Sequence, residues 1–173
     1  MTLVYHALRP RKKYAKVLSN KVFENGRTIM QKGQQYYGKQ YRSGNALVDW
    51  TFRRLIWALN EKVRHVVLRT PLRDPDKPRK RLFGLWSIND NIVPFGNEKI
   101  LYEEGVLYLD PEYHETQKED MLLTLIHELS HIILASYLTE PVIHQIEHIL
   151  FKDLSKPQKR ALARHIPKKH ETI

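Results

Sequence analysis

One stretch constrains this chain more than any other. From Met121 to Leu134 the residues are almost all apolar, yet the run holds His127, Glu128 and His131. Its length and apolar character predict a helix. Leu122, Leu123, Leu125, Ile126, Leu129, Ile132, Ile133 and Leu134 surround the polar residues on nearly all sides, so the helix is predicted to be buried. Two His and a Glu inside a buried helix are costly unless something satisfies them.

The spacing says what that something is. His127-Glu128-Leu129-Ser130-His131 places two imidazoles at i and i+4, on one helical face, where both can offer nitrogen to one metal ion. Glu128 lies one residue round from His127 and can reach a water beside the metal without ligating it. Zinc acidifies such a water, and Glu128 is placed to take its proton as general base.

The chain has no cysteine. Disulfides, thiolate nucleophiles, iron–sulfur clusters and Cys-type zinc fingers are excluded, and any metal must be held by His, Asp or Glu. A catalytic zinc needs a third protein ligand and an open position. The helix expected from Pro141 to about Leu154 offers Glu140, His144, Glu147 and His148. Its apolar arc is Val142, Ile143, Ile146, Ile149, Leu150 and Leu154. Glu147 sits at the edge of that arc and is the expected third ligand, with His144 the alternative. His148 is expected beside the site or as a transition-state donor.

The remaining pattern is α+β. Asn45 caps a helix running to about Arg64, with Leu47, Val48, Phe52, Leu55, Ile56 and Leu59 on its apolar face. Val66–Leu68 reads as a strand and 70–81 as a proline-broken basic loop. Leu82–Ile88 is a further strand. Lys99–Glu103 and Val106–Leu109 are predicted to form a hairpin around Glu104-Gly105. A helix from about Gln117 to Leu138 follows, with Thr116 as N-cap, and a last helix begins after Ser155-Lys156-Pro157. Asn25-Gly26 is a turn candidate. One compact domain is expected, with a basic region over 1–81, a core over 82–165 and a basic tail over 166–173.

Charge is segregated along the chain. Residues 1–82 hold 20 basic and 5 acidic side chains, residues 83–148 hold 2 and 12, and residues 149–173 hold 7 and 2. The basic half interleaves cations with Tyr and Trp, a composition that can contact phosphates and stack on bases of DNA or RNA. Arg9, Arg11, Lys12, Lys13, Arg53, Arg54, Arg79, Lys80 and Arg81 are its candidates. No charged segment followed by an apolar one opens the chain, and no apolar run is long enough to span a bilayer. The expectation is an intracellular, cytoplasmic protein with no membrane partner.

Leu123-Thr-Leu-Ile-His-Glu-Leu-Ser-His-Ile-Ile-Leu resembles the active-site helix of zincin metallopeptidases, closest to SprT/Spartan-like proteases and to minimal gluzincins related to ImmA and IrrE, including phage-borne types. Gly105-Val-Leu-Tyr-Leu-Asp-Pro resembles the strand before that helix. Glu140-Pro-Val-Ile-His-Gln-Ile-Glu-His-Ile-Leu resembles the helix that supplies a gluzincin glutamate. The resemblance covers about residues 82–154. It implies a zincin-like fold with a small mixed or antiparallel sheet, one zinc ion, and hydrolysis of peptide bonds in a protein or peptide substrate. It implies His127, His131 and Glu147 as ligands and Glu128 as base. The later His beside Gly that SprT-like proteins use is absent, and Tyr137 stands where metzincins carry a third His, leaving it a place beside the site. The strand region around Lys99–Leu109 is expected to hold an extended substrate by strand addition. A rival expectation is a non-catalytic, metal-containing nucleic-acid- or protein-binding accessory protein, such as phages and mobile elements encode.

Overall fold

The computed structural model describes residues 36, 38–134 and 138–168. Arg9, Arg11, Lys12, Lys13, Asn25-Gly26 and Tyr137 lie outside the described residues. The chain divides into two units, Met1–Tyr37 and Gly38–Ile173. The second is described below.

A short 3-10 turn, Lys39–Tyr41, precedes helix α1, Ala46–Glu61. Asn45 caps α1 as its spacing requires, its side chain accepting from the Leu47 and Val48 amides at 3.0 and 3.4 Å. Val48, Phe52, Leu55, Ile56 and Leu59 are buried along one face. Leu47, expected among them, is 69 % exposed.

Three strands make the main sheet: β1 (His65–Leu68), β2 (Gly84–Trp86) and β5 (Val106–Leu109), in the order β1-β5-β2. β5 runs parallel to β1 and antiparallel to β2. The unit therefore runs unbroken across residues 81 and 82, because β1 is paired with β5. Strands β3 (Asn91–Phe95) and β4 (Glu98–Tyr102) form a separate antiparallel pair.

The hairpin expected between Lys99–Glu103 and Val106–Leu109 does not form. The chain turns back through Gly96, at φ 61°, so that β4 pairs with β3. All four residues of β5 are buried. A strand apolar on both faces belongs in the middle of a covered sheet, which is where β5 lies. Pro94 hid β3 from the sequence reading, since proline is poor in strands; it is tolerated here in a pair that has only edges.

The helix expected over Gln117–Leu138 starts later, at Met121, and a further short helix that the sequence reading did not include precedes it. α2, Pro111–Gln117, is capped by Asp110 and ends at Lys118, which takes the left-handed conformation at φ 58°. Asp120 then starts α3, Met121–Leu134, accepting from the Leu122 amide at 2.8 Å. Thr116 is no cap; its hydroxyl donates back to the Glu112 carbonyl. Helix α4, Glu140–Asp153, has Pro141 in its first turn, and α5, Lys156–Ala163, opens with a Ser155–Gln158 capping box.

α3 lies against α1, α4, β2 and β5. Leu122, Leu125, Ile126 and Leu129 are buried, but Leu123, Ile132, Ile133 and Leu134 are half-buried. The helix is thus covered on one side rather than all round, and its other side carries the polar motif. A second core of Leu72, Val93, Tyr102, Val106 and Tyr108 joins the two sheets.

One carboxylate ties these elements together. Asp110, 0 % exposed at the end of β5, accepts from Thr70 Oγ1 (2.9 Å), the Leu72 amide (3.0 Å), the Tyr113 amide (3.0 Å) and the Arg81 guanidinium (2.7 and 2.9 Å). Burial opposes its charge, but these bonds prevail and hold the carboxyl below its usual range. The architecture is mixed α+β. Among the described residues no helix is long and apolar enough to cross a membrane.

Candidate metal centre

His127 and His131 sit one turn apart on α3, and their Nε2 atoms are 3.1 Å apart. Helix α4 brings its first turn and its middle against them. Glu140 places Oε1 3.2 Å from His127 Nε2 and Oε2 3.1 Å from His131 Nε2. On the other side of the ring, His127 Nδ1 donates to Glu147, which is only 5 % exposed. Glu147 also pairs with His144 Nδ1 at 2.8 Å. The His144 ring lies 4.7 Å from that of His127, and its Nε2 is 3.9 Å from Glu140. His148 is exposed, 3.9 Å from Glu147.

The carboxylates therefore divide the work differently from the sequence expectation. Glu147, the expected third ligand, faces the back of His127. By holding Nδ1–H it fixes the tautomer whose Nε2 lone pair points outward. Glu140 faces the two Nε2 atoms. Two ring nitrogens and a carboxylate meet at one spot; a His131 Nε2–H can donate within it, and with that proton removed all three groups can turn lone pairs to one ion. One ligand atom each from His127, Glu140 and His144 lies within 4.8 Å of the others. This nitrogen-and-oxygen donor set fits zinc.

The sequence carried a signal for Glu140. Glu140, His144 and Glu147 fall at i, i+4 and i+7, a single helical face. Ranking by closeness to the apolar arc favoured Glu147, which is indeed buried, over Glu140, which is 58 % exposed.

Burial disfavours the charged His127 ring, but the Glu147 bond and the carboxylates of Glu128, Glu147 and Glu140 outweigh it and raise its pKa. Burial and the neighbouring His127 lower that of His131. The bonds from His127 and His144 hold Glu147 low against its burial.

Glu128 points the other way, to β2. Its Oε2 accepts from the Trp86 amide at 3.0 Å. Burial pushes its carboxyl up to about 7, in the range where a general base works. The approach is close: a Cβ on Gly84 would lie 2.6 Å from Thr124 Cγ2 and 3.0 Å from Glu128 Oε1. Sequence reasoning missed Gly84 and Trp86, because the contact joins elements far apart in the chain. A cleft of about 390 Å³ opens beside Glu128 and His127, walled by Phe83, Tyr113 and Leu123 and rimmed by Lys80.

The nucleic-acid candidates scatter. Arg79 and Lys80 are exposed. Arg54 stacks on Trp57 at 4.3 Å, and Arg53 lies near Asp49. Arg81 is a correction: its guanidinium is committed to Asp110 and Glu112 and lies over the Tyr113 ring, so its charge is already neutralised.

No protein-family model, curated protein or solved structure matches this chain.

Proposed function

We propose that this chain is a zinc-dependent metallopeptidase that hydrolyses peptide bonds. One observation carries the reading: the paired His127 and His131 Nε2 atoms meet the Glu140 carboxylate on a helix whose next residue, Glu128, is held apart from them by β2. His127, His131 and Glu140 would hold the ion, with His144 in reach and Glu147 orienting His127. Bound there, zinc supplies a Lewis acid that lowers the pKa of water and polarises a carbonyl. Glu128 would take the proton, on Oε1, because its Oε2 is held by the Trp86 amide.

The strand expected to hold substrate is replaced. β5 is paired on both sides and has no free edge. Among the described residues β2 is an edge of that sheet: the Phe83 carbonyl and Ser87 amide bond inward to Asp110 and Val106, so the Gly84 backbone groups face outward along the cleft, while the outward Trp86 amide is taken by Glu128. An extended peptide would add there.

Metal analysis with two variants tests this. Purified protein should carry about one zinc per chain, lost in His127→Ala. Glu128→Gln should keep the zinc and lose peptide cleavage. Zinc retained in both the wild type and Glu128→Gln, with no cleavage of a broad peptide library by either, would favour the non-catalytic accessory protein instead.

Recruitment to nucleic acid is a second reading, supported by Trp50, 52 % exposed on the same face of α1 as Arg54 and Trp57. A mobility shift with single-stranded DNA that weakens with salt tests it.

A further inference from the structure

We infer that the outer edge of β4 is a docking site for an extended acidic peptide, separate from the metal centre. The inference goes beyond the metallopeptidase reading and does not need the metal. A cleft of about 280 Å³ is lined by residues 69–71, which follow β1, by Phe95, and by Lys99, Ile100 and Leu101 of β4. β1 and β2 stand on opposite sides of β5, and this cleft shares no residue with the one beside Glu128.

The register leaves that edge open. Lys99 lies opposite Pro94 in the β3–β4 pair, and Leu101 opposite Ile92. Pro94 has no N–H to give to a ladder, so it sits in a non-hydrogen-bonded pair, and every second pair of an antiparallel ladder is of that kind. The N–H and C=O groups of Lys99 and Leu101 therefore point away from β3. The Leu101 carbonyl accordingly accepts from the Arg69 guanidinium. Among the described residues, the Lys99 amide and carbonyl and the Leu101 amide have no hydrogen-bond partner outside β3.

Charge decides what the edge takes. Among the described residues no carboxylate pairs with Arg69, Arg73 or Lys99, although residues 83–148 are net acidic. The Arg69 guanidinium lies 4.9 Å from the Tyr108 ring and 5.4 Å from that of Tyr102, which hold it in place without a counter-charge. Arg73 lies 4.6 Å over the Phe95 ring, and the Nε atoms of both arginines are buried without an acceptor. Outward amides beside cations suit a chain that is rich in acceptors and negatively charged. An extended peptide also brings an N–H to the Lys99 carbonyl, a donor that a phosphodiester backbone lacks, so an acidic strand fits better than a nucleic acid. Side chains alternate along such a strand, so its acidic residues can face the cations while apolar ones meet Leu101 and Phe95.

The probes are two peptides blocked at both ends, acetyl-Glu-Val-Glu-Val-Glu-Thr-amide and its counterpart with Gln for every Glu. Both are titrated by calorimetry into the full-length protein at physiological salt. The acidic peptide should bind more tightly by about tenfold or more, as charge-assisted hydrogen bonds give. Lys99→Glu should abolish that preference. Lys99→Pro deletes an outward N–H opposite Pro94, spares the ladder, and should weaken binding by about fivefold. Lys152→Glu makes the same charge change at an exposed position on α4 and should leave the affinity within about twofold. Lys99 is exposed, so Lys99→Glu keeps the test decisive if Lys99→Pro fails to fold. Equal binding of the two peptides, a preference undiminished in Lys99→Glu, or an equal loss in Lys152→Glu overturns the docking site. Oligothymidylate that binds more tightly than the acidic peptide and is lost in Lys99→Glu makes the cleft a phosphate site and overturns the peptide reading. None of these ratios involves the metal, so the metallopeptidase reading stands or falls separately.

Discussion

Gly84→Ala is the sharpest perturbation the structure offers. The added Cβ would sit 2.6 Å from Thr124 Cγ2, 3.0 Å from Glu128 Oε1 and 3.1 Å from Glu128 Cγ. Carbon–carbon contacts are at ease near 3.5–4.0 Å, so β2 and α3 must part by about 1 Å. Overpacking of this kind costs about 1–3 kcal/mol. In a domain of this size that lowers Tm by roughly 4–12 °C. Thr124→Ser removes the Cγ2 and keeps the hydroxyl that meets His114 Nε2 at 2.8 Å. The double variant should therefore recover at least half of the lost stability, a coupling read directly from a double-mutant cycle followed by circular dichroism in urea. Activity should behave otherwise. The contact with Glu128 remains in the double variant, and the Trp86 amide is drawn off the carboxylate, so cleavage stays depressed while zinc content does not change. A Gly84→Ala protein as stable as wild type, or strictly additive effects, would refute the reasoning.

Asp110→Ala leaves Arg81 without its buried partner and should destabilise the fold by about 3–5 kcal/mol in urea titrations. In the wild type the Asp110 pKa is lower folded than unfolded, so its contribution is complete above about pH 4 and fades as pH falls through the folded value; Tm measured from pH 7 to pH 3 should show this, and the Asp110→Ala curve should be flatter. Glu147→Gln should weaken zinc binding about 10–100-fold as the loss of an orienting group, and Glu140→Gln by more, in competition with a fluorescent chelator; the reverse order would make Glu147 the ligand. Gln158→Ala should cost about 1–3 kcal/mol in thermal unfolding, because the buried Gln158 amide donates to the Tyr41 carbonyl and Asp49 Oδ1 at 2.7 and 2.9 Å.

The helices were legible wherever local chemistry specifies them. The Asn45 cap, Pro141 in a first turn and the Ser155 start each act within a few residues, and the structure has all three. The short helix before Lys118 was not legible, because residues 111–120 carry no apolar period, and nothing in the sequence marks residue 118 as left-handed. Strand pairing was the weaker part. Lys99–Glu103 and Val106–Leu109 look like a hairpin along the chain, and only the fully apolar character of β5 hinted that it sits between β1 and β2. The His127–His131 spacing put two nitrogens on one face without help from the fold. The roles of Glu140 and Glu147 depend on how α4 crosses α3, which no spacing within α4 can state.

Asp110 has a consequence beyond stability. It joins the Thr70–Leu72 segment, the end of β5, the start of α2 and the Arg81 side chain, and two of its bonds set the backbone of Phe83 and Tyr113. Phe83 and Tyr113, anchored this way, move only together with Asp110 and the interior contacts it makes, so the shape of the surface they bound is set by a buried carboxylate rather than by the exposed residues around it.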